Sequence, residues 1–188
     1  MGCTEYIGKA FSKNLALLQS ESDRGAVLVA SSMIEEALKN LLIAKLVPSS
    51  KNQDPLFNGG NAPLGTFSSK IEMTYRLGLI RREWKELLNI FKKLRNDFAH
   101  NVEVNNFKIP KVRDQFVSLM DKDQHLRDAL KGTFIESIAN NVSPLKEAEL
   151  FLKEKMPLRI SFDFAFAVIV STLEAIVHEQ VQLKPFGS

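Results

Sequence analysis

Apolar positions recur along the chain at helical spacing, and the elements follow from them. Ile7, Phe11, Leu15 and Leu18 predict an amphipathic helix over 4–19. Ser20-Glu21-Ser22-Asp23 is rich in capping side chains and predicts a new helix from about Ser22 to Leu46, ended by Pro48. At 100° per residue, Val27, Ala30, Leu38 and Leu41 lie within about 40° of Ile34, which makes one apolar face. The opposite side carries Gly25, Val29, Ser32 and Ile43, small or apolar again. A helix apolar on both sides is expected to be central and covered all round. Glu36 falls within the second face and Asp23 near the first, so both are candidate buried acids.

Pro48 to Gly65 reads as a long loop with Leu56 and Phe57 pinning it to the core. Within it, Gly59, Gly60 and Asn61 are the functional-loop candidates. Thr66 or Ser69 can cap the next helix, over about Phe67 to Gly78, and Ser69 with Glu72 fits a capping box. Gly78 reads as its stop. The cleanest pattern runs from about Arg81 to Phe98, where Trp84, Leu87, Leu88, Phe91, Leu94 and Phe98 keep the three-four-seven spacing. Further helices are expected over Pro110 to Met120, from Ser143-Pro144 to a stop before Pro157, and over Ile160 to Glu179. Asp121 to Asn141 is read as room for one more. The fold class is all-α: a single-domain bundle of six to eight helices spanning 1–188, with 121–188 a helical extension completing the core.

Composition narrows function by exclusion. Hydrophobic residues make up 45 % and charged residues 25 % of 188, the balance of a globular chain. One cysteine allows no internal disulfide framework, and with three scattered histidines it offers no metal cluster. No cofactor motif is present: Gly59-Gly60 lacks the lysine and hydroxyl of a phosphate loop. The most apolar stretch, Ile160 to Val177, has only ten uncharged residues between Asp163 and Glu174, against about 20 for a bilayer crossing. It is expected to be a core helix, and the protein cytoplasmic with no membrane role.

Net charge is +3, but Arg81 to Arg95 alone carries six basic residues and two acids. That helix could touch phosphates, yet its wide apolar stripe makes it a core helix rather than a DNA-recognition helix. The concentrated signal follows at its end, Arg95-Asn96-Asp97-Phe98-Ala99-His100. Arg95 lies about 40° from the centre of the apolar face at 100° per residue. A guanidinium placed there calls for a carboxylate, since an unpaired buried charge is very costly. Glu36 is the first choice and Asp23 the second, with Glu35 and Asp163 also in reach of the argument. The catalytic alternative has Arg95 gripping a phosphate, His100 transferring a proton and Asn96 sharing the His100 face, the minimum for metal-independent RNA cleavage. Arg95 and His100 are about 140° apart on a regular helix, so this requires the helix to end near Ala99. The structural role is preferred, with His100 capping the helix end.

Several ordered strings carry a resemblance. Glu21 through Ala30, Glu35-Glu36-Ala37-Leu38, Gly59-Gly60-Asn61 through Lys70, Leu77-Gly78-Leu79-Ile80 and the hexapeptide from Arg95 to His100 together resemble the mannitol operon repressor family of bacteria, over residues 15–120. The resemblance implies an all-helical transcriptional repressor without a recognisable DNA-binding module. Such a protein would act through another protein, a transcription factor being the expected partner, and would not bind DNA sequence-specifically alone; homo-oligomerisation stays open. The hexapeptide is also similar to the R-x4–6-H signature of HEPN domains, helical ribonucleases or nucleotide binders. That similarity implies, as the alternative, a metal-independent endoribonuclease centred on Arg95, Asn96 and His100, or a nucleotide-binding domain.

Overall fold

In the computed structural model, which describes residues 3–129, 158–180 and 183–184, all regular structure is helical. The elements are α1 (Cys3–Gln19), α2 (Asp23–Lys45), α3 (Phe67–Arg76), α4 (Arg82–His100), α5 (Pro110–Met120) and α6 (Leu158–Glu179), with a further helical stretch over 124–129. The expected helix from Ser143-Pro144 and most of Asp121 to Asn141 lie outside the described residues.

Local chemistry explains the boundaries. Ser22 caps α2 by accepting the Gly25 N–H at 3.0 Å. At α3 the reciprocal box forms between Thr66 and Ser69. Thr66 has the extended backbone of an N-cap, and Ser69 sits three residues on. The expected Ser69–Glu72 box does not form, and Glu72 instead pairs with Lys85 at 2.7 Å. Gly78 closes the segment with φ +70°, where a side chain would be strained. Pro110 opens α5, where its missing N–H costs nothing.

The core forms where these apolar faces meet. α6 packs along α1 and α2, α2 also touches α3 and α4, and α4 holds α5 on its other flank. Val27, Ala30, Ile34, Leu38 and Leu41 of α2 are fully buried, as are Leu87, Leu88, Phe91, Leu94 and Phe98 of α4. From α6 come Phe162, Phe166, Ile169 and Leu173. Phe91, Phe162 and Phe166 stack in the centre with ring centroids 4.2–4.3 Å from Phe166. The 18-residue apolar window of α6 is long and hydrophobic enough to cross a membrane, but 56 % of it is buried against the other helices. Here it packs as a core helix.

Two further expectations fail. α2 is central, but it is not covered all round. Ser32, Glu36 and Ile43 are exposed, and Gly25 and Val29 are only half-buried. Four neighbouring helices are enough to cover one broad face, and the strip behind it stays open. In the loop, Phe57 is buried against Leu42 as expected, but Leu64 takes the place assigned to Leu56. The Leu64 N–H donates to the Leu56 carbonyl at 2.8 Å, so the chain doubles back and Leu56 faces out, 37 % exposed.

Candidate functional site

α4 runs unbroken through His100, with Asn101 as its C-cap. The catalytic arrangement needed an end near Ala99. On the regular helix Arg95 and His100 stand about 140° apart around the axis. Arg95 is half-buried, and its Nη1 donates to Asn96 Oδ1 at 3.0 Å. Asn96 and His100 are exposed.

The ion pair expected at Arg95 does not form. Glu36 lies on the open strip of α2 and meets Lys39 at 3.4 Å, a surface pair. Asp23 is half-buried and is claimed by Arg159. The reason is local. Near its C-terminus the buried stripe of α4 narrows to Leu94 and Phe98, which leaves Arg95 and Ala99 at its rim. A guanidinium at the rim can stay hydrated and needs no carboxylate.

Arg159, at the start of α6, holds the largely buried charge cluster that was expected around Arg95. Its Nε donates to both carboxylate oxygens of Asp163 at 2.8 and 2.9 Å, and its Nη1 to Asp23 Oδ1 at 2.9 Å. Its Nη2 donates to the carbonyls of Leu18 and Glu21 at 2.6 and 2.9 Å. One side chain thus ties α6 to the α1–α2 turn. Burial opposes the Arg159 charge, but the hydrogen bonds to Asp163 and then Asp23 outweigh it and raise its pKa above the usual value. Burial pushes the Asp163 carboxyl upward, against the lowering effect of Arg159. The spacing of Arg159 four residues before Asp163 was the available sequence signal.

The next residue pair organises the connector after α4. The Phe107 N–H donates to Asp23 Oδ2 at 3.0 Å, and Arg24 Nη2 donates to the carbonyls of Asn101 and Val104 at 2.8 and 3.2 Å. The clamp leaves Val102 at the tip, 80 % exposed. Asp97, on the flank toward α5, accepts from Lys111 at 2.9 Å and from Gln115 at 2.8 Å. The Lys111 hydrogen bond, then that of Gln115, holds its carboxyl below the usual carboxylate range. A further buried acid went unread: Asp123 accepts from Trp84 Nε1 at 2.6 Å and from Arg81 at 3.0 Å. It also accepts the backbone N–H groups of His125 and Leu126, which starts the 124–129 stretch.

These contacts divide the basic run of α4. Arg81, Arg82 and Lys85 are neutralised by Asp123, Glu86 and Glu72. Lys92 donates to Ser68 Oγ at 2.8 Å, Arg95 bonds only Asn96 among the described residues, and Lys93 is exposed. None of these three has a carboxylate partner among the described residues. Gly59, Gly60 and Asn61 form an exposed turn, Gly59 with φ +110°. That turn belongs to the Leu42 end of α2, whereas the hexapeptide ends beside Arg24. The two points are about 27 Å apart along α2 at 1.5 Å per residue, so the loop and hexapeptide form no common site. Among the described residues, no three His, Cys, Asp or Glu side chains gather as a metal ion would need.

Comparison with known proteins places the fold. No family model matches the chain, and no curated protein matches it in sequence. A solved structure does: the chain is similar to one in the X-ray structure of the MtlR–HPr complex from Escherichia coli, with a TM-score of 0.55 and 17 % identity. The likeness covers 90 % of this chain and 98 % of that one. The all-α fold is therefore MtlR-like.

Proposed function

We propose that this protein is a regulator that acts through a protein partner and does not itself read DNA. The observation that carries the reading is the likeness over nearly the whole of both chains to a structure in which MtlR is held with HPr. The finer reading is a repressor or co-repressor of a carbohydrate operon of the mannitol type, with a transcription factor or an HPr-like protein as partner. Two features support the part of the proposal that excludes DNA reading. The most basic helix, α4, turns Trp84, Leu87, Leu88, Phe91, Leu94 and Phe98 inward. Arg82 and Lys85 are already held by carboxylates, which leaves Lys92, Lys93 and Arg95 for phosphate, too few for tight binding. A net charge of +3 supports only weak phosphate contact.

Calorimetry of the full chain against HPr from the same host, beside a gel shift on duplex DNA, tests the reading. Saturable 1:1 binding to HPr is expected. With DNA, only non-specific affinity of roughly 10⁻⁴–10⁻⁶ M at physiological salt is expected. Nanomolar, sequence-selective DNA binding by the protein alone would overturn it, as would the absence of any protein partner both in calorimetry and in capture from the native host.

A further inference from the structure

We propose that the α4 face formed by Lys92, Lys93 and Arg95, with Ser68 of α3 beside it, docks an acidic segment of the protein partner. The inference rests on the protein-partner reading above and says where and by what chemistry the contact is made.

Charge is sorted by face on α4. At 100° per residue, Arg95, Lys92, Asn96, Asn89, His100 and Lys93 fall in that order within an arc of about 160°. Glu83, Glu86 and Asp97 fall together on the remaining flank. There Glu86 meets Lys122 at 3.5 Å and Asp97 meets Lys111 at 2.9 Å. Glu86 and Asp97 stand about 20° and 40° from Lys93, but both are engaged by lysines of other segments, and no acid of α4 falls within about 120° of Lys92 or Arg95. Their observed partners, a serine hydroxyl and an asparagine carbonyl, are neutral. A hydrogen bond of that kind leaves the positive charge uncompensated.

Folding does not require this arrangement. Interspersed acids would gain a few tenths of a kcal/mol per pair at i,i+3 or i,i+4 spacing, as Arg82 and Glu86 show in the preceding turns. A concentrated, unneutralised strip instead raises the local potential and steers an oppositely charged surface to it. Arg95 can grip a carboxylate with its planar fork, while the lysines follow on flexible stems.

The same geometry argues for a polypeptide over a nucleic acid. The three cations span only about 4.5 Å along the helix axis, from 92 to 95 at 1.5 Å per residue. Side chains on one face of an extended peptide repeat every 6.6 Å or so, within reach of such a strip. Single-stranded nucleic acid would also need an aromatic platform on which bases stack. The aromatic rings of α4, Trp84, Phe91 and Phe98, are all buried in the core.

Fluorescence anisotropy with labelled decaglutamate and labelled decauridylate tests the proposal on the full chain. Three proteins are compared: wild type; the face variant Lys92→Gln, Lys93→Gln, Arg95→Gln; and a control carrying Lys39→Gln, Arg82→Gln and Lys122→Gln. The control removes cations that already have acidic partners. Decaglutamate is expected to bind wild type with an affinity that falls steeply as salt rises. The face variant should bind roughly ten-fold more weakly, the yield of three exposed pairs at a few tenths of a kcal/mol each. The control should change less than the face variant, and thermal melting should show all three folded. Equal decaglutamate binding by the face variant and wild type overturns the proposal, as does tighter binding of decauridylate at the same salt. The partner calorimetry, repeated on the face variant, separates the two readings. Partner binding by wild type that the face variant retains in full sinks the docking face and leaves the protein-partner reading standing. Loss of decaglutamate binding in the face variant with no protein partner for wild type leaves an acid-binding face but sinks both the protein-partner reading and the docking assigned to it.

Discussion

Arg159→Met would remove the guanidinium that joins α6 to the α1–α2 turn while keeping most of the aliphatic packing. Five donor–acceptor contacts go with it, to Asp163, Asp23, Leu18 and Glu21. Leu18 is fully buried and Asp163 only 4 % exposed, so the Leu18 carbonyl and the Asp163 carboxylate would both be stranded. Breaking one partner out of a buried pair costs about 3–5 kcal/mol. For a chain of this size a kcal/mol corresponds to roughly 2–4 °C in Tm, so a drop of about 10 °C is expected. The cost must depend on pH, with a definite sign. Burial already lifts the Asp163 carboxyl above the ordinary value, and without Arg159 it rises further. The folded variant then binds a proton that the unfolded chain has released. Its stability falls as pH rises from the unfolded carboxylate range through the raised folded value, and the deficit against wild type narrows at acid pH. Urea unfolding of wild type, Arg159→Met and Arg159→Met/Asp163→Leu across pH 5–8 measures each part. Removing the stranded carboxylate should recover part of the loss, because an apolar replacement of a buried pair is often neutral or better. A single variant within about 1 kcal/mol of wild type, or a double variant no better than the single, would refute the reasoning.

Three further outcomes follow from the contacts at α4. Arg95→Ala should cost no more than about 1 kcal/mol in a urea melt, since it loses one surface hydrogen bond, and His100→Ala no more than that. With Arg95 and His100 about 140° apart around the axis, neither variant should change the rate at which the protein degrades single-stranded RNA without added metal, and cleavage abolished by His100→Ala would reverse the assignment. Asp123→Ala should destabilise by about 2–4 kcal/mol, by stranding the Trp84 N–H and removing the cap of 124–129. Trp84 is the single tryptophan, so its emission should shift with the change. Asp97→Asn should lower stability by a constant amount above the ordinary carboxylate range, where the Lys111 and Gln115 clasp is fully formed. That deficit should vanish as pH falls through the lowered pKa of Asp97, and a deficit unchanged at pH 3 would sink the clasp.

What the sequence determined by itself is what short-range chemistry controls. The six-position stripe of α4, the apolar face of α2, the caps at Ser22 and Gly78 and the proline opening α5 all depend on residues within a turn or two. Those elements were legible, and the all-α class with them. Polar pairing was not. A helical wheel gives the angle of Arg95 but not how far along the axis its neighbours extend, and near the end of α4 the cover narrows enough to leave it at the rim. Glu36, read as buried because small and apolar residues flank it, lies on the strip that four packed helices do not reach. The carboxylate of Asp23 did need a cation, but that cation is 136 residues away on a helix whose docking no local pattern specifies. The same holds for Asp123, whose demand for the Trp84 N–H arises only once the chain after α5 folds back. Periodicity decides which side of a helix is apolar. Only the tertiary packing decides which of its charges lose their water, and therefore which must be paired and which stay free to meet something else.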